Sequence, residues 1–390
     1  MYDVRSLLQK HQEILSILNK EGRAEQAKLV GGCVRDFLLS GEISEDVDIS
    51  TTLKPDEVIK IMDKYRKQKG ISCILIDKDK RYGTIIVIFN GQRYEITSTR
   101  ADIACFGRQA TVEFCDDFQK DSERRDFTIN ALYVGLDGKI LDFHNGLNDL
   151  SQGIIRFIGD PRQRIEEDFL RIIRFFRFAT KFNFFDFDKN VLQVIKLTKH
   201  GLKNVSRERI RSELFKLLEY KNWFIGLENI TKVDLMEEVF GVKNITTNNL
   251  KVDFIGNKIV ELFYFFNFNA KVLEDLKKSF KFTKEECKFT DFLISFWNLS
   301  NGGKDFNIDV KMLIFYSKNQ YMEDVFPILN KHILEQTKTF LLKKKPLNIK
   351  STELIKLGYV GKELGEKIKQ LEKEWVKSDF MLPNDDLLSL

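Results

Sequence analysis

Proline is scarce in this chain of 390 residues: there are five, and none lies between Pro161 and Pro327. A stretch without proline has nothing to break a helix ladder, so this region is open to helix throughout. Cysteine is as sparse, with five residues (Cys33, Cys73, Cys105, Cys115, Cys287) and no Cys-x-x-Cys spacing. That pattern disfavours a disulfide framework or a zinc site and suits a reducing, cytoplasmic setting. No apolar run approaches the roughly 20 residues of a membrane span, so no membrane role is expected. The amino terminus, Met1-Tyr-Asp-Val-Arg-Ser6, lacks the basic-then-apolar order of a secretory signal. A strong charge imbalance is missing too: 63 basic and 58 acidic residues leave +5, which permits nucleic-acid binding without requiring it. What is present, 43% hydrophobic and 31% charged residues, is the balance of a folded chain long enough for two or more domains.

The chain has two textures. Residues 3–20 carry apolar positions at helical spacing. From about Ala27 to Arg156, short β-rich runs (Lys28–Val30, Gly83–Phe89, Arg93–Thr97) alternate with helical ones such as 55–68, and Asn90-Gly91-Gln92 reads as a hairpin turn. After Pro161 the strand signals fade, and 162–182, 205–220, 257–267, 271–279 and 351–375 read as helices. The 34 phenylalanines fall at helical spacing and read as core packing. The fold class is therefore α+β, a mixed sheet with helices followed by an all-helical half.

Two segments point to phosphate chemistry. Leu29-Val-Gly31-Gly32-Cys-Val-Arg35-Asp-Phe-Leu-Leu39 is strand, double glycine, helix. Taken alone it is either an ordinary tight turn or an anion site, with backbone N–H groups of a helix start facing the loop and Arg35 adding charge. Shortly after come Asp46-Val-Asp48-Ile-Ser50. On a strand, Asp46 and Asp48 share a face, and paired carboxylates suit Mg²⁺, which one or two carboxylates hold together with substrate phosphates. Two such ions clamp the attacking and leaving oxygens in phosphoryl transfer. The chain has two other Asp-x-Asp pairs: Asp77/Asp79 reads as a solvated loop and Asp186/Asp188 as a turn. Glu95 is a candidate third acidic group if its strand runs beside the Asp pair; otherwise it is an exposed strand residue.

These segments carry a resemblance. The sequences at 29–39 and 46–50 resemble the first motif of class II tRNA nucleotidyltransferases and bacterial poly(A) polymerases. Arg124-Arg125-Asp126-Phe-Thr-Ile-Asn130-Ala-Leu132 looks like the second motif. Residues 142–150 (DFHNGLNDL), 167–174 (EDFLRIIR) and 206–214 (SRERIRSEL) are similar to the third, fourth and fifth. The resemblance implies a polymerase-β-like nucleotidyltransferase head at 1–153, a neck with a base-recognition helix at 154–220, a helical body at 221–330 and an RNA-binding tail at 331–390. It implies that Asp46 and Asp48 hold the metal ions and activate the 3′-hydroxyl of an RNA acceptor; Glu95 is a candidate catalytic group from its strand placement alone. Gly31, Gly32 and Arg35 take the triphosphate, and Arg125, Asp126 and Asn130 the ribose and phosphates. Asp168, Arg171 and Arg174, three residues apart and so expected on one helix face, would read the base. A carboxylate accepts from the exocyclic amine of cytosine or adenine and leaves the carbonyl of uracil or guanine unpaired. The third motif reads as a Gly-pivoted turn with capping Asp residues. Ser206 of the fifth is an expected helix N-cap.

The resemblance further implies addition of C, C and A to tRNA from CTP and ATP, releasing pyrophosphate, with no obligate protein partner. A poly(A) polymerase and a CC- or A-restricted enzyme are the alternatives. Lys80–Ile85 is similar to the tRNA enzymes, and the polar segment 101–121 occupies the place of a flexible loop in CCA-adding members. The segment 357–380 also resembles such enzymes, with Val360-Gly361 where Pro-Gly is usual. Between Lys338 and Trp375 ten lysines face five glutamates, a net +5, which suits a phosphate backbone.

Overall fold

A computed structural model of the chain describes residues 3–19, 25–69, 73–79, 83–106, 109–242, 246–248, 255–300 and 302–390, the side chains of 68, 69, 73, 77–79 and 101–112 excepted. Lys80–Tyr82 lie outside these. The chain divides into two compact units, 1–239 and 240–390.

In the first unit, α1 (Arg5–Leu18) buries Leu7, His11, Ile14, Leu15 and Leu18 along one face, the stripe the spacing predicts. Strands β1 (Ala27–Val30) and β2 (Val47–Thr51) flank helix α2 (Gly32–Ser40) in sequence; α3 (Pro55–Lys69) follows. Then come β3 (Cys73–Asp79), β4 (Thr84–Phe89) and β5 (Gln92–Ser98). In β4, Ile85, Val87 and Phe89 are buried and their neighbours half-exposed, the alternation of a sheet with one face on a core. Phe89 pairs with Gln92 across Asn90-Gly91, both at positive φ (51° and 80°), a two-residue hairpin turn as expected. Asp77 and Asp79, expected in a loop, belong to β3, where pairing with β4 fixes the backbone. Segment 101–121 also departs from expectation. It forms a two-stranded hairpin, β6 (Arg100–Phe106) with β7 (Gln109–Phe114), then α4 (Phe118–Glu123). Strands β8 (Leu132–Val134) and β9 (Ile140–Asp142) complete a seven-stranded sheet of order β3-β4-β5-β2-β1-β8-β9. Only the β2–β5 pair in it is parallel.

Helices α5 (Gly146–Gln152), α6 (Pro161–Glu167), α7 (Leu170–Phe182), α8 (Lys189–Thr198), α9 (Arg207–Leu218), α10 (Trp223–Lys232) and α11 (Met236–Phe240) follow. The expected single helix 162–182 is broken at Asp168, which is extended (φ −154°, ψ 101°). Helix α7 packs phenylalanines on most sides, with Phe175, Phe176 and Phe178 all buried. Ser206 occupies the N-cap of α9, but its side chain makes no capping bond; Asp160 and Asp188 do cap α6 and α8.

The second unit is helical: α12 (Lys258–Phe265), α13 (Ala270–Ser279), α14 (Lys284–Leu299), α15 (Ile308–Tyr316), α16 (Asn319–Val325), α17 (Lys331–Lys343), α18 (Ser351–Lys356), α19 (Gly361–Lys377) and α20 (Asn384–Leu388). Phe263, Phe265, Phe266, Phe280 and Phe296 are fully buried, so the phenylalanine excess is core, as the spacing indicates. The expected helix 351–375 is two, separated by a turn with Gly358 and Gly361 at positive φ.

Candidate active site

The sheet order brings the double glycine and the acidic pair together. Strand β1 pairs antiparallel with β2, setting Val30 opposite Asp48, so the turn leaving β1 passes beside the carboxylate. Gly31 takes φ 74°, ψ −127°, a conformation that side chains disfavour. A Cβ there would lie 3.6 Å from Asp48 Oδ2 and 3.4 Å from Arg125 Nη1. The first helical bond of α2 runs from Arg35 N–H to Gly31 O, so the N–H groups of Gly32 to Val34 form the open first turn.

Asp46 lies one residue before β2, in a bend, rather than on the strand; it is exposed, and Arg93 Nη1 is 3.3 Å from its Oδ1. Asp48 is on β2, half-buried, directly beside Glu95 in the parallel β2–β5 register. Burial, the Glu95 carboxylate and Asp46 together push its pKa up to about 6, against the pull of Arg125. Glu95 is thus next to the pair, as its strand predicted, and ion-paired with Arg93. Among the described residues no three acidic, His or Cys groups converge on one metal position. The donor set is the two carboxylates of Asp46 and Asp48, which line the same cavity, and this suits a hard cation completed by phosphate oxygens.

The second motif builds the wall. Arg125 is held by Tyr133 OH (3.1 Å) and Asp121 Oδ2 (3.2 Å), and Tyr133 donates to the same Asp121 oxygen at 2.9 Å. Burial would raise the pKa of Asp121, but Arg125 and Arg124 outweigh it and hold it down to about 2. Arg124, a plausible neighbour from sequence, is therefore a structural partner of Asp121 (2.7 Å). Asn130 sits in a 3₁₀ turn (Thr128–Asn130); its amide donates to Asp126 Oδ1 at 2.8 Å and its carbonyl accepts from Arg35. Arg35 is buried, with its guanidinium 4.9 Å from the ring centres of both Phe178 and Phe182. The turn rests on the third motif. Asp142 accepts from the N–H groups of Gly146 and Leu147 at the start of α5, and Asp149 accepts from Thr128 Oγ1 at 2.7 Å. The Asp capping is that expected from sequence, but the turn pivots on Asn145 (φ 59°), and Gly146 instead permits the close approach to Thr128.

The fourth motif is split by the helix break. Asp168 precedes α7, and its Oδ2 takes Arg209 of α9 at 2.7 Å. Arg171 binds Glu167 (2.6 Å). Arg174 binds Asp126 (2.5 Å) and approaches Glu213 at 3.4 Å. Burial works against the Asp126 charge, yet Arg174 holds its pKa far below the usual carboxylate range.

Every residue nominated from sequence except Glu95, Asp168 and Arg171 lines one cavity of about 470 Å³, joined there by Arg177, Phe178 and Lys216. Asp168 and Arg171 line a second, of about 350 Å³, which shares Asp126, Arg174 and Lys216 with the first and adds Arg209 and Glu213. Sequence reasoning missed these added residues. Arg177 carries a signal, standing three residues after Arg174 on the same helix; Arg209 and Glu213 belong to the fifth motif, whose sequence does not show their partners, distant along the chain.

Comparison with known proteins agrees with this geometry. Residues 27–156 match the family described as the poly A polymerase head domain, and 184–245 that described as a probable RNA- and SrmB-binding site of polymerase A. The mitochondrial CCA tRNA nucleotidyltransferase 1 of Danio rerio is 31% identical over 389 residues, 93% of this chain and 86% of that protein. The chain belongs to the CCA tRNA nucleotidyltransferase family. The Homo sapiens member is 32% identical over 383 residues, with the same 93% and 86% coverage. Among solved structures, the CCA-adding enzyme of Bacillus stearothermophilus in complex with CTP superposes with a TM-score of 0.77 at 22% identity, covering 95% of this chain and 93% of its own. The Thermotoga maritima CCA-adding enzyme complexed with tRNA gives 0.69 at 22% identity, over 99% and 97%. The fold of this family is thus the α+β head with a helical remainder expected from sequence. No helix among the described residues is long and apolar enough to cross a membrane.

Proposed function

We propose that this chain adds C, C and A, without a nucleic-acid template, to the 3′ end of tRNA from CTP and ATP, releasing pyrophosphate. The observation that carries the reading is the convergence of both parts of the first motif, around Gly31 and Asp48, with the second, around Asn130, on one cavity that adjoins the Asp168–Arg171–Arg174 cavity. In this reading residues 1–153 are the catalytic head, 154–220 the neck, 221–330 the body and 331–390 the tail that holds the RNA, in the cytoplasm.

Asp46 and Asp48 would hold Mg²⁺, two ions in the family's manner. When bound, the metal offsets the carboxylate repulsion and makes the acceptor 3′-hydroxyl a better nucleophile toward the α-phosphate. The open first turn of α2 takes phosphate oxygens on its N–H groups. Arg35, stacked between Phe178 and Phe182 and tied to Asn130, is fixed before substrate arrives, so little ordering remains to be done on binding. Arg125, Asp126 and Asn130 position the ribose and phosphates. Asp168, Arg171 and Arg174 present a carboxylate and guanidinium groups to the base, accepting from an amine and rejecting a carbonyl.

The deciding experiment supplies tRNA ending at its discriminator base with CTP and ATP and reads product length and order. A three-nucleotide CCA extension is expected. Long A-tails from ATP alone on an unstructured RNA would overturn the assignment in favour of a poly(A) polymerase. Products stopping at CC, or requiring a CC end, would assign a restricted enzyme.

A further inference from the structure

Asp168 is held from outside its own helix. It stands in extended backbone between α6 and α7, where neither helix ladder fixes its side chain. Its Oδ1 accepts only a long bond, 3.3 Å, from Leu170 N–H. Its Oδ2 takes Arg209 Nη2 at 2.7 Å, with both side chains only 20% exposed. The other guanidinium groups of the cavity are engaged elsewhere. Arg171 binds Glu167 and the carbonyl of Arg164, and Arg174 binds Asp126. Arg209 Nε is buried without a hydrogen-bond partner among the described residues, so the bond to Asp168 is what orients this side chain. All four residues line the same cavity of about 350 Å³.

We infer that Arg209 is a positioning residue for nucleotide selection, acting through Asp168; this rests on the base-reading role given to Asp168 above. Rejection of uracil or guanine needs a carboxylate that stays in place when a carbonyl faces it. A carboxylate free to rotate would turn away and relieve the unpaired contact, and discrimination would fall. Arg209, planted on α9, holds Oδ2 through its Nη2–H at 2.7 Å and opposes that escape. A lysine has the charge without the directed planar N–H and fixes orientation less well.

The test compares Arg209→Gln, Arg209→Lys, Asp168→Asn and the Gln/Asn double variant in the full chain. The readouts are kcat and KM for CTP and UTP on tRNA lacking CCA, with thermal melting alongside. Arg209→Gln is expected to raise KM for CTP and cut CTP-over-UTP selection by about tenfold each, with kcat for CTP within about threefold, as for removal of a charge-assisted hydrogen bond that orients the reader. Arg209→Lys gives a smaller change in the same direction, about threefold. In the Asp168→Asn background, Arg209→Gln adds no further loss of selectivity. Unchanged selection in Arg209→Gln, or full additivity with Asp168→Asn, overturns the inference. If the Gln variant does not fold, the Lys variant decides, and selection within error of the parent overturns it. Asp168→Asn separates the two readings: unchanged selection there defeats the base-reading assignment itself. Loss there without loss at Arg209 defeats only the present inference.

Discussion

Asp48 occupies a place where a charge is disfavoured, between β1 and a strand carrying Glu95, with its pKa raised to about 6 chiefly by burial. A carboxylate whose folded pKa exceeds its unfolded one binds protons preferentially in the folded state. Its ionisation therefore removes stability as pH rises from about 4 to about 6, and the loss persists above that. Asp48→Asn should consequently abolish nucleotide incorporation, by about 10³-fold or more as for other essential metal-binding groups, while leaving the melting temperature in chelator at pH 7.5 unchanged or higher. A variant that stays active would remove the metal assignment. Asp121 has the opposite sign. Its folded pKa, near 2 because Arg125 and Arg124 outweigh burial, lies below the unfolded value, so its contribution is complete above about pH 4 and is lost as pH falls toward 2. Asp121→Asn leaves two half-buried arginines short of a partner and should cost about 3–5 kcal/mol at neutral pH, read by urea unfolding, with the acid limb of the stability profile flattened. A stability loss below about 1 kcal/mol, the range of an exposed pair, would show that water can replace the carboxylate.

At the scale of elements, the wall of the larger cavity depends on contacts between short pieces. Helix α5 approaches the 3₁₀ turn carrying Asn130 so closely that a Cβ on Gly146 would meet Thr128 O at 2.4 Å. Because the obstacle is backbone, neither side can yield by changing rotamer. Gly146→Ala is expected to destabilise by roughly 2–3 kcal/mol and to weaken CTP binding by displacing Asn130 and, through it, Arg35. Isothermal titration beside a denaturation curve checks both; intact affinity would show that the turn holds Asn130 without α5. The break between α6 and α7 is a second such feature. It removes Asp168 from the helix face and hands its placement to α9, 41 residues later.

For the molecule as a whole, charge distribution matters more than the net value. The lysine-rich segment 338–375 belongs to the second unit, but its lysines are not alike. Lys344 donates to Ile314 O, Ser317 O and Asn319 Oδ1, and Lys367 is buried over the Tyr359 ring. These two hold helices together. Lys345, Lys350, Lys356 and Lys369 are exposed. Replacing these four by Gln should raise KM for tRNA and reduce the slope of log affinity against log salt by roughly 0.7–0.9 for each phosphate no longer neutralised. The KM for CTP should stay unchanged. An unaltered salt slope would take the RNA away from this face. Lys344→Gln should instead lower the melting temperature.

The sequence by itself determined the fold class, several elements of the head and most residues of the cavity around Asp48, but not β3 or the β6–β7 pair. Gly31-Gly32 and Arg125–Asn130 carry local constraints, glycine freedom and turn chemistry, that are written in consecutive residues, and strand alternation holds for Asp48 though not for Asp46, which stands before β2. It also marked the long helical region, since helices need only local bonds and a periodic apolar face. Only the tertiary structure decided which charge meets which. Asp168 stands outside α7 and pairs with Arg209 of α9, Arg174 pairs with Asp126, and β6 pairs with β7 within the segment expected as a loop. Ion pairs between elements depend on distances in space that neither spacing nor periodicity encodes, and so the partners of Asp168, Arg171 and Arg174 are set by the fold alone.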